Sequence, residues 1–249
     1  MTASAAYEVA NPGGAAAVLV LCDHATNLVP ETVAGGDLGL PEAEMGRHIA
    51  YDIGARGLAL ALAELLDAPA LLTRFSRLVI DPNRGEDDPT LLMRLYDGTI
   101  IPANRHAGPE ERERRLDAWH RPYHAAITAE IDRMVAAGRE PALVSIHSYT
   151  PRLRGRESRP WHVGVLWDKD GRVALPLIAR LRAEPDLVIG DNQPYHGELE
   201  GDTLNRHGTL RGLRHVLIEL RQDLIATPED QRAWAARLAP ILAQVIAAS

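Results

Sequence analysis

Cysteine occurs once in 249 residues, at Cys22. A lone cysteine excludes an intrachain disulfide framework and a thiolate-only zinc site. Any metal must then be held mainly by histidine and carboxylate, and the chain has 10 histidines. Aromatic residues amount to 4%, so Ala, Leu, Val and Ile have to build the core. A basic excess is missing too, with 34 Asp and Glu against 27 Lys and Arg and a formal charge of −7. That balance counts against an electrostatic nucleic-acid partner. Long apolar runs are absent: the longest near the start, Ala15 to Cys22, is far below the ~20 residues of a membrane span. No Lys or Arg precedes it and Asp23-His24 follows it, so it is not read as a signal peptide, and a cytoplasmic location is expected. What is there suits a soluble globule, 46% hydrophobic and 24% charged. The length can bury a sizeable core, and a single domain over 1–249 is expected.

Met1 to Gly14 reads as a lead-in with a short strand. Ala16 to Cys22 is a continuous apolar run, too short for a good helix and suited to a strand buried on both faces. Pro41 to Leu66 predicts a helix. Ala70 to Asp81 reads as apolar strand material that includes Leu78-Val79-Ile80, and residues 85–108 as a long surface excursion. Glu110 to Ala137 predicts a second long helix, Ala142 to Ile146 a buried strand, Val163 to Trp167 a strand and Leu175 to Ala183 a helix. Asn192 to Gly212 reads as a polar, Gly-rich loop and His215 to Leu220 as a strand. Thr227-Pro228, with Asp230 behind, opens the last helix. Strands alternating with helices predict an α/β fold with helices on both faces of the sheet. The expected form is a three-layer α/β/α arrangement with a mixed, mostly parallel central sheet.

Polar residues cluster at strand ends. Asp23-His24 ends the first strand, His147-Ser148 ends another, and Glu219 lies near the end of the last, with Arg221 and Asp223 behind it. Such residues line the carboxyl edge of a sheet and converge there. His24 and His147 suggest a metal, since imidazole suits Zn²⁺ and a catalytic zinc takes three protein ligands and leaves a position open. His48 and Asp52 are spaced i, i+4 on one expected helix face, so one would be the third ligand and the other its supporting partner. Asp23, next to His24, is expected to support a ligand as well. His120 and His124 share the helical spacing, but they sit on a charged helix away from any strand end, where a solvated or capping role is expected.

Arg77, Asn83 and Arg84 form a second cluster able to clamp an anion; the alternative is structural ion pairing with Asp81, Glu86 or Asp87. Glu219 follows Val216-Leu217-Ile218 and is expected to be poorly solvated. Burial raises a carboxylate's pKa, whereas a metal or arginine lowers it. Such a group can take a proton from water and pass it to a leaving amine. The alternative is a buried pair with Arg221 or Arg214.

These stretches together resemble the N-formylglutamate amidohydrolase family. The resemblance rests on Cys22-Asp23-His24-Ala25-Thr26-Asn27 with Pro30, on His48 to Gly54, and on Ser76-Arg77-Leu78-Val79-Ile80-Asp81 with Asn83-Arg84. Ser145-Ile146-His147-Ser148 and Ile218 to Asp223 complete it in the family's order. The Ser-Arg-x-x-x-Asp-x-Asn-Arg stretch is the most specific part. The resemblance implies a zinc-dependent amidohydrolase of N-formylglutamate deformylase type, acting on a linear amide. It implies a phosphorylase/hydrolase-like scaffold related to zinc carboxypeptidases and cell-wall N-acetylmuramoyl-L-alanine amidases. It maps metal ligands onto His24, Asp52 and His147, and the general base onto Glu219 with Arg77 assisting at the carbonyl. Substrate carboxylate binding falls to Asn83 and Arg84, with Arg221 close by, and His48 and Asp23 keep supporting roles. The expected substrate is a small N-acyl amino acid, with neither nucleic acid nor membrane as partner. Other divalent metals also suit imidazole and carboxylate. The best-known deformylases tend to read His-Ser-Gly at the first ligand, where this chain has His24-Ala25-Thr26. Competing readings are a cell-wall amidase or metallopeptidase on the same scaffold, and a non-catalytic anion-binding relative.

Overall fold

The computed structural model describes residues 6–249. The short strand of the lead-in is β1 (Tyr7–Ala10), and the first five residues of that lead-in lie outside the described residues. β2 (Val18–Cys22) is buried at every position, as its unbroken apolar run predicts. The expected helix over 41–66 is interrupted. It forms a single turn, α1 (Glu42–Met45), an irregular stretch, and α2 (Ala55–Leu65). Gly54 accounts for the break: its φ of 80° is left-handed, and a β-carbon there would come within 2.2 Å of the Ile225 carbonyl oxygen. His48 and Asp52 therefore do not share a helix face, which corrects the i, i+4 expectation.

β3 (Ala70–Thr73) is shorter than the apolar pattern predicts. Leu78-Val79-Ile80 is a turn rather than a strand, closed by the Val79 N–H on the Ser76 carbonyl at 2.9 Å. It is buried all the same, in an apolar cluster with Ile49, Phe75, Leu116 and Trp119. The surface excursion holds a small hairpin, β4 (Leu95–Tyr96) with β5 (Thr99–Ile100), and a helical turn, α3 (Pro102–Arg105). The second long helix is α4 (Pro109–Arg115), a π turn over Leu116–His120, and α5 (Arg121–Ala136). Pro122 has no N–H to continue the α ladder, and beside it the Arg121 N–H reaches back to the Leu116 carbonyl.

β6 (Ala142–Tyr149), β7 (Val163–Leu166), α6 (Ala174–Arg182) and β8 (Ile189–Asp191) follow. The expected loop over 192–212 contains a further helix, α7 (Thr203–His207), capped by Asp202, whose Oδ1 accepts the Asn205 N–H at 2.7 Å. β9 (His215–Arg221) precedes α8 (Pro228–Ala248), which Thr227 and Asp230 cap reciprocally. Among the described residues no helix is long and apolar enough to cross a membrane.

The seven-stranded sheet runs in the order β1-β3-β2-β6-β9-β7-β8. β3, β2, β6 and β9 are parallel; β1 and β7 run antiparallel to the neighbours that join them to this block, and β8 is parallel to β7. Alternation along the strands sorts the core into two layers. Val18, Val20, Val144, Ile146, Val216 and Ile218 pack with α2, α6 and α8. Leu19, Leu21, Leu143 and Leu217 pack on the other face with Tyr123, Ile127 and Ile131 of α5 and Leu204 of α7. The result is a three-layer α/β/α fold with a mixed, mostly parallel sheet. The same alternation places Ser145, His147 and Glu219 on the α5/α7 side, at the carboxyl ends of β6 and β9.

Candidate metal centre and active site

β2 ends at Cys22, so Asp23 and His24 emerge at the carboxyl edge of the sheet. β6 brings His147 to the same edge, and the parallel register sets Glu219 of β9 opposite it. Asp52 comes from the irregular stretch before α2, with its N–H on the His24 carbonyl at 3.0 Å. His24 Nδ1 and His147 Nδ1 lie 3.3 and 2.8 Å from Asp52 Oδ2. One ligand atom from each of His24, Asp52 and His147 falls within 4.8 Å of the others.

Each imidazole leans its far nitrogen on a carboxylate. His24 Nε2 is 2.7 Å from Asp81 Oδ1, and His147 Nε2 is 3.2 Å from Asp23 Oδ2. Asp23 is itself held, its Oδ1 accepting from Tyr123 Oη at 2.8 Å and Thr203 Oγ1 at 3.1 Å. Nε2–H donation to carboxylates leaves both Nδ1 lone pairs facing the Asp52 carboxylate. Three electron-rich atoms meeting this closely need a positive charge among them: a proton on His147 Nδ1 supplies it without metal, and two imidazoles with one carboxylate suit a divalent metal in its place. The residues present fit a metal on that ground.

Burial alone would raise the Asp52 pKa, but the charges and hydrogen bonds of His24 and His147 hold it well below the ordinary carboxylate range. His147 would be lowered by burial; hydrogen bonds and charges of Asp23 and Asp52 raise it well above the ordinary histidine range instead. Glu219 differs. Burial pushes it up to about 7, and its Oε2 has no hydrogen-bond partner. All four side chains line one cavity of about 200 Å³.

The N-formylglutamate amidohydrolase family profile matches residues 16–226, most of the chain. The chain belongs to that family. It is 30% identical over 200 residues to an N-formylglutamate deformylase of Pseudomonas aeruginosa, covering 74% of each chain. It is 29% identical over 178 residues to one of Pseudomonas putida, covering 63% of this chain and 64% of that relative, just under two thirds of its length. A gene product of Agrobacterium tumefaciens has the same fold, with a TM-score of 0.92 at 34% identity over 98% of this chain and 96% of the other. The N-formylglutamate amidohydrolase of Ralstonia eutropha shares the fold at a TM-score of 0.63 and 23% identity, over 97% of this chain and 99% of the other.

The remaining residues that carry the family resemblance divide by location. Arg77 lies on the cavity with Nε and Nη2 on Asp81 Oδ2 at 3.0 and 2.7 Å, and Nη1 3.6 Å from Asp52 Oδ1. The pairing with Asp81, one of two alternatives in the sequence, is thus formed. Asn83 accepts the Thr203 N–H on Oδ1 at 3.1 Å, while its Nδ2 faces the cavity wall with no hydrogen bond to the described residues. Arg84 also lines the cavity, with Nε on Thr90 and Nη1 on the Asn83 carbonyl. His48 lines it too, outside the ligand group; its Nε2 has no hydrogen bond, and burial lowers its pKa to about 4.

Arg221 is not brought to the cavity. Its guanidinium is held by Asp223 and approaches the carbonyls of Pro160 and Trp161. Arg221 shares strand parity with Glu219 but sits two residues further on, at the last position of β9, which carries it about 7 Å along the strand beyond the site. The structure also adds residues with no assigned role in the sequence, Ser145, Thr203, Tyr123 and Asp202, and gives Asp81 a second partner, His24, beyond its expected pairing with arginine. Asp81 was visible within the Ser-Arg-x-x-x-Asp stretch. Ser145 shares strand parity with His147, and its Oγ lies 3.1 Å from His147 Nε2. Tyr123 and Thr203 come from helices on the same face, which no local pattern signals.

Proposed function

We propose that this chain hydrolyses the amide bond of a small N-acyl amino acid of N-formyl type, with a divalent metal, zinc in the first instance, held by His24, Asp52 and His147. One observation carries the reading. The partnerless Oε2 of a buried Glu219 opens on the same cavity as a closed set of two imidazoles and a carboxylate. The Pseudomonas relatives' names supply the acyl-amino-acid class. The cavity, at about 200 Å³, is smaller than the ~300–1,000 Å³ of drug-sized sites, which suits so small a substrate.

Zinc, when bound, supplies Lewis-acid polarisation of a carbonyl and a lowered pKa for water. The chain's own groups do the rest. Glu219, with a pKa near neutrality, takes the proton of the attacking water at Oε2 and returns it to the leaving nitrogen. Arg77 is pinned by Asp81 through two nitrogens, which leaves Nη1 as the donor for an acyl oxygen that gains charge. Asn83 Nδ2 and the Nη2 of Arg84, which bonds to none of the described residues, receive the carboxylate of the amino-acid half.

The test is a panel of N-formyl, N-acetyl and N-succinyl amino acids, with metal content measured by elemental analysis alongside. The expected result is hydrolysis of N-formyl amino acids by protein carrying about one metal per chain, and loss of both metal and turnover in His24→Ala. No turnover on any member of the panel, or turnover unaffected by His24→Ala, overturns the reading.

A further inference from the structure

Of the buried histidines outside the metal group, three form one cluster. His120, His124 and His207 are each at most 3% exposed, which corrects the solvated or capping role expected for the first two. The π turn rotates His120 inward, so that its ring centroid lies 4.4 Å from that of His124. His124 in turn stacks on His207 of α7 at 5.2 Å, with 20° between the planes. These rings do not meet as metal ligands, because their hydrogen bonds commit them elsewhere. His124 Nε2 donates to the Pro82 carbonyl at 2.9 Å, and His120 Nε2 to the Arg84 carbonyl at 3.0 Å. His124 Nδ1 is then an acceptor, and His207 Nε2 donates to it at 2.9 Å. Burying imidazoles costs free energy wherever a ring nitrogen lacks a partner, and His120 Nδ1 has none among the described residues.

Both receiving carbonyls flank Asn83. The Asn83 N–H donates to Asp81 Oδ1 at 3.0 Å, and its Oδ1 accepts from Thr203, which sits on the same short helix as His207. Every polar group around this residue is tethered except Nδ2. We propose that His120 and His124, with His207 behind them, are positioning residues. They fix the peptides on either side of Asn83 so that Nδ2 and the neighbouring Arg84 meet the substrate carboxylate in one geometry. This rests on the reading of Asn83 and Arg84 as the carboxylate site. Pre-set donors recognise a carboxylate without the cost of ordering a loop. Misplacing them weakens binding, while Glu219 and the three proposed ligand side chains lie on other elements; the one shared group is Asp81 Oδ1, which accepts both the Asn83 N–H and His24 Nε2, so metal content is the control.

The experiment measures kcat and KM for N-formyl-L-glutamate in the wild type, His124→Ala, His124→Gln and His120→Leu. Metal content and thermal melting are followed in each, and binding of L-glutamate to each by calorimetry. Gln carries an N–H at about the reach of Nε2. The expected result is a KM raised about tenfold or more in His124→Ala and His120→Leu, with kcat within about threefold and metal content unchanged. L-Glutamate binding should weaken in parallel, and His124→Gln should recover most of the loss. Unchanged KM and unchanged L-glutamate binding in folded variants overturn the inference while the hydrolase reading stands. A fall in kcat that tracks metal loss also overturns it, because the histidines would then serve the metal group. A wild type that neither hydrolyses N-formyl-L-glutamate nor binds L-glutamate overturns the inference together with the reading beneath it.

Discussion

His24 and Arg77 share one carboxylate: Asp81 takes the His24 Nε2 on Oδ1 at 2.7 Å and two Arg77 nitrogens on Oδ2. The imidazole of a proposed metal ligand and a cavity arginine are thereby fixed by a single fully buried group. Asp81→Asn is expected to weaken metal binding by about 10–100-fold, because the imidazole loses the charge behind it. Competition against a chelator of known affinity measures this. An unaltered metal affinity would show that Asp81 serves only Arg77.

Glu219→Gln keeps the shape of the side chain and removes the proton acceptor. Metal content should stay near one per chain while kcat falls about 10²–10⁴-fold. Normal turnover in this variant would remove Glu219 from the reaction.

Asp202 tests the pH behaviour of the cavity wall. Burial raises its pKa to about 7, so the folded chain holds a proton there that the unfolded chain releases near pH 4. Stability should therefore fall as pH rises from about 4 to about 7, by on the order of 4 kcal/mol from this group. Asp202→Asn preserves the helix cap and should flatten that decline in denaturant titrations. An identical pH profile in the variant would refute the assignment.

The histidine stack has the opposite sign. Burial first, and then neighbouring positive charge such as Arg206, lowers His207 to about 4 and holds His124 well below the ordinary histidine range, so these rings fold neutral. Their contribution is fully present above about pH 6.5 and is lost as pH falls through that value toward about 4. His207→Gln should unfold less steeply with acid over this window, as followed by circular dichroism.

Asn83→Asp exchanges the free amide for an anion facing the substrate carboxylate and leaves the acceptor for Thr203 in place. KM for N-formyl amino acids should rise by about a hundredfold, with kcat less affected.

The groups that lie at strand ends were legible in the sequence, because an apolar run followed by Asp-His or preceding Glu fixes both a buried strand and the edge where it stops. His24, His147 and Glu219 came from that logic. Asp52 came from resemblance: helical spacing placed it beside His48, and the left-handed turn at Gly54 undid that placement. Asp81 looked like an ordinary ion-pair partner for arginine, since its second bond, to His24, crosses 57 residues. Burial of His120 and His124 goes with a π turn and with partners far along the chain: His207 and the carbonyls of Pro82 and Arg84. Neither leaves a periodic trace. α7 was hidden for a similar reason: five residues give too few turns for a pattern, and a glycine-rich surround reads as loop.

The central strands β2, β6 and β9 are neighbours in space but far apart along the chain. Their pairing requires long loops to close first, which slows folding. During synthesis His24, Asp52 and His147 are all present once β6 has emerged, while Glu219 arrives only with β9. Under the proposed roles a nascent chain can thus acquire metal before it can turn over substrate, and no fragment ending ahead of β9 carries the proposed base.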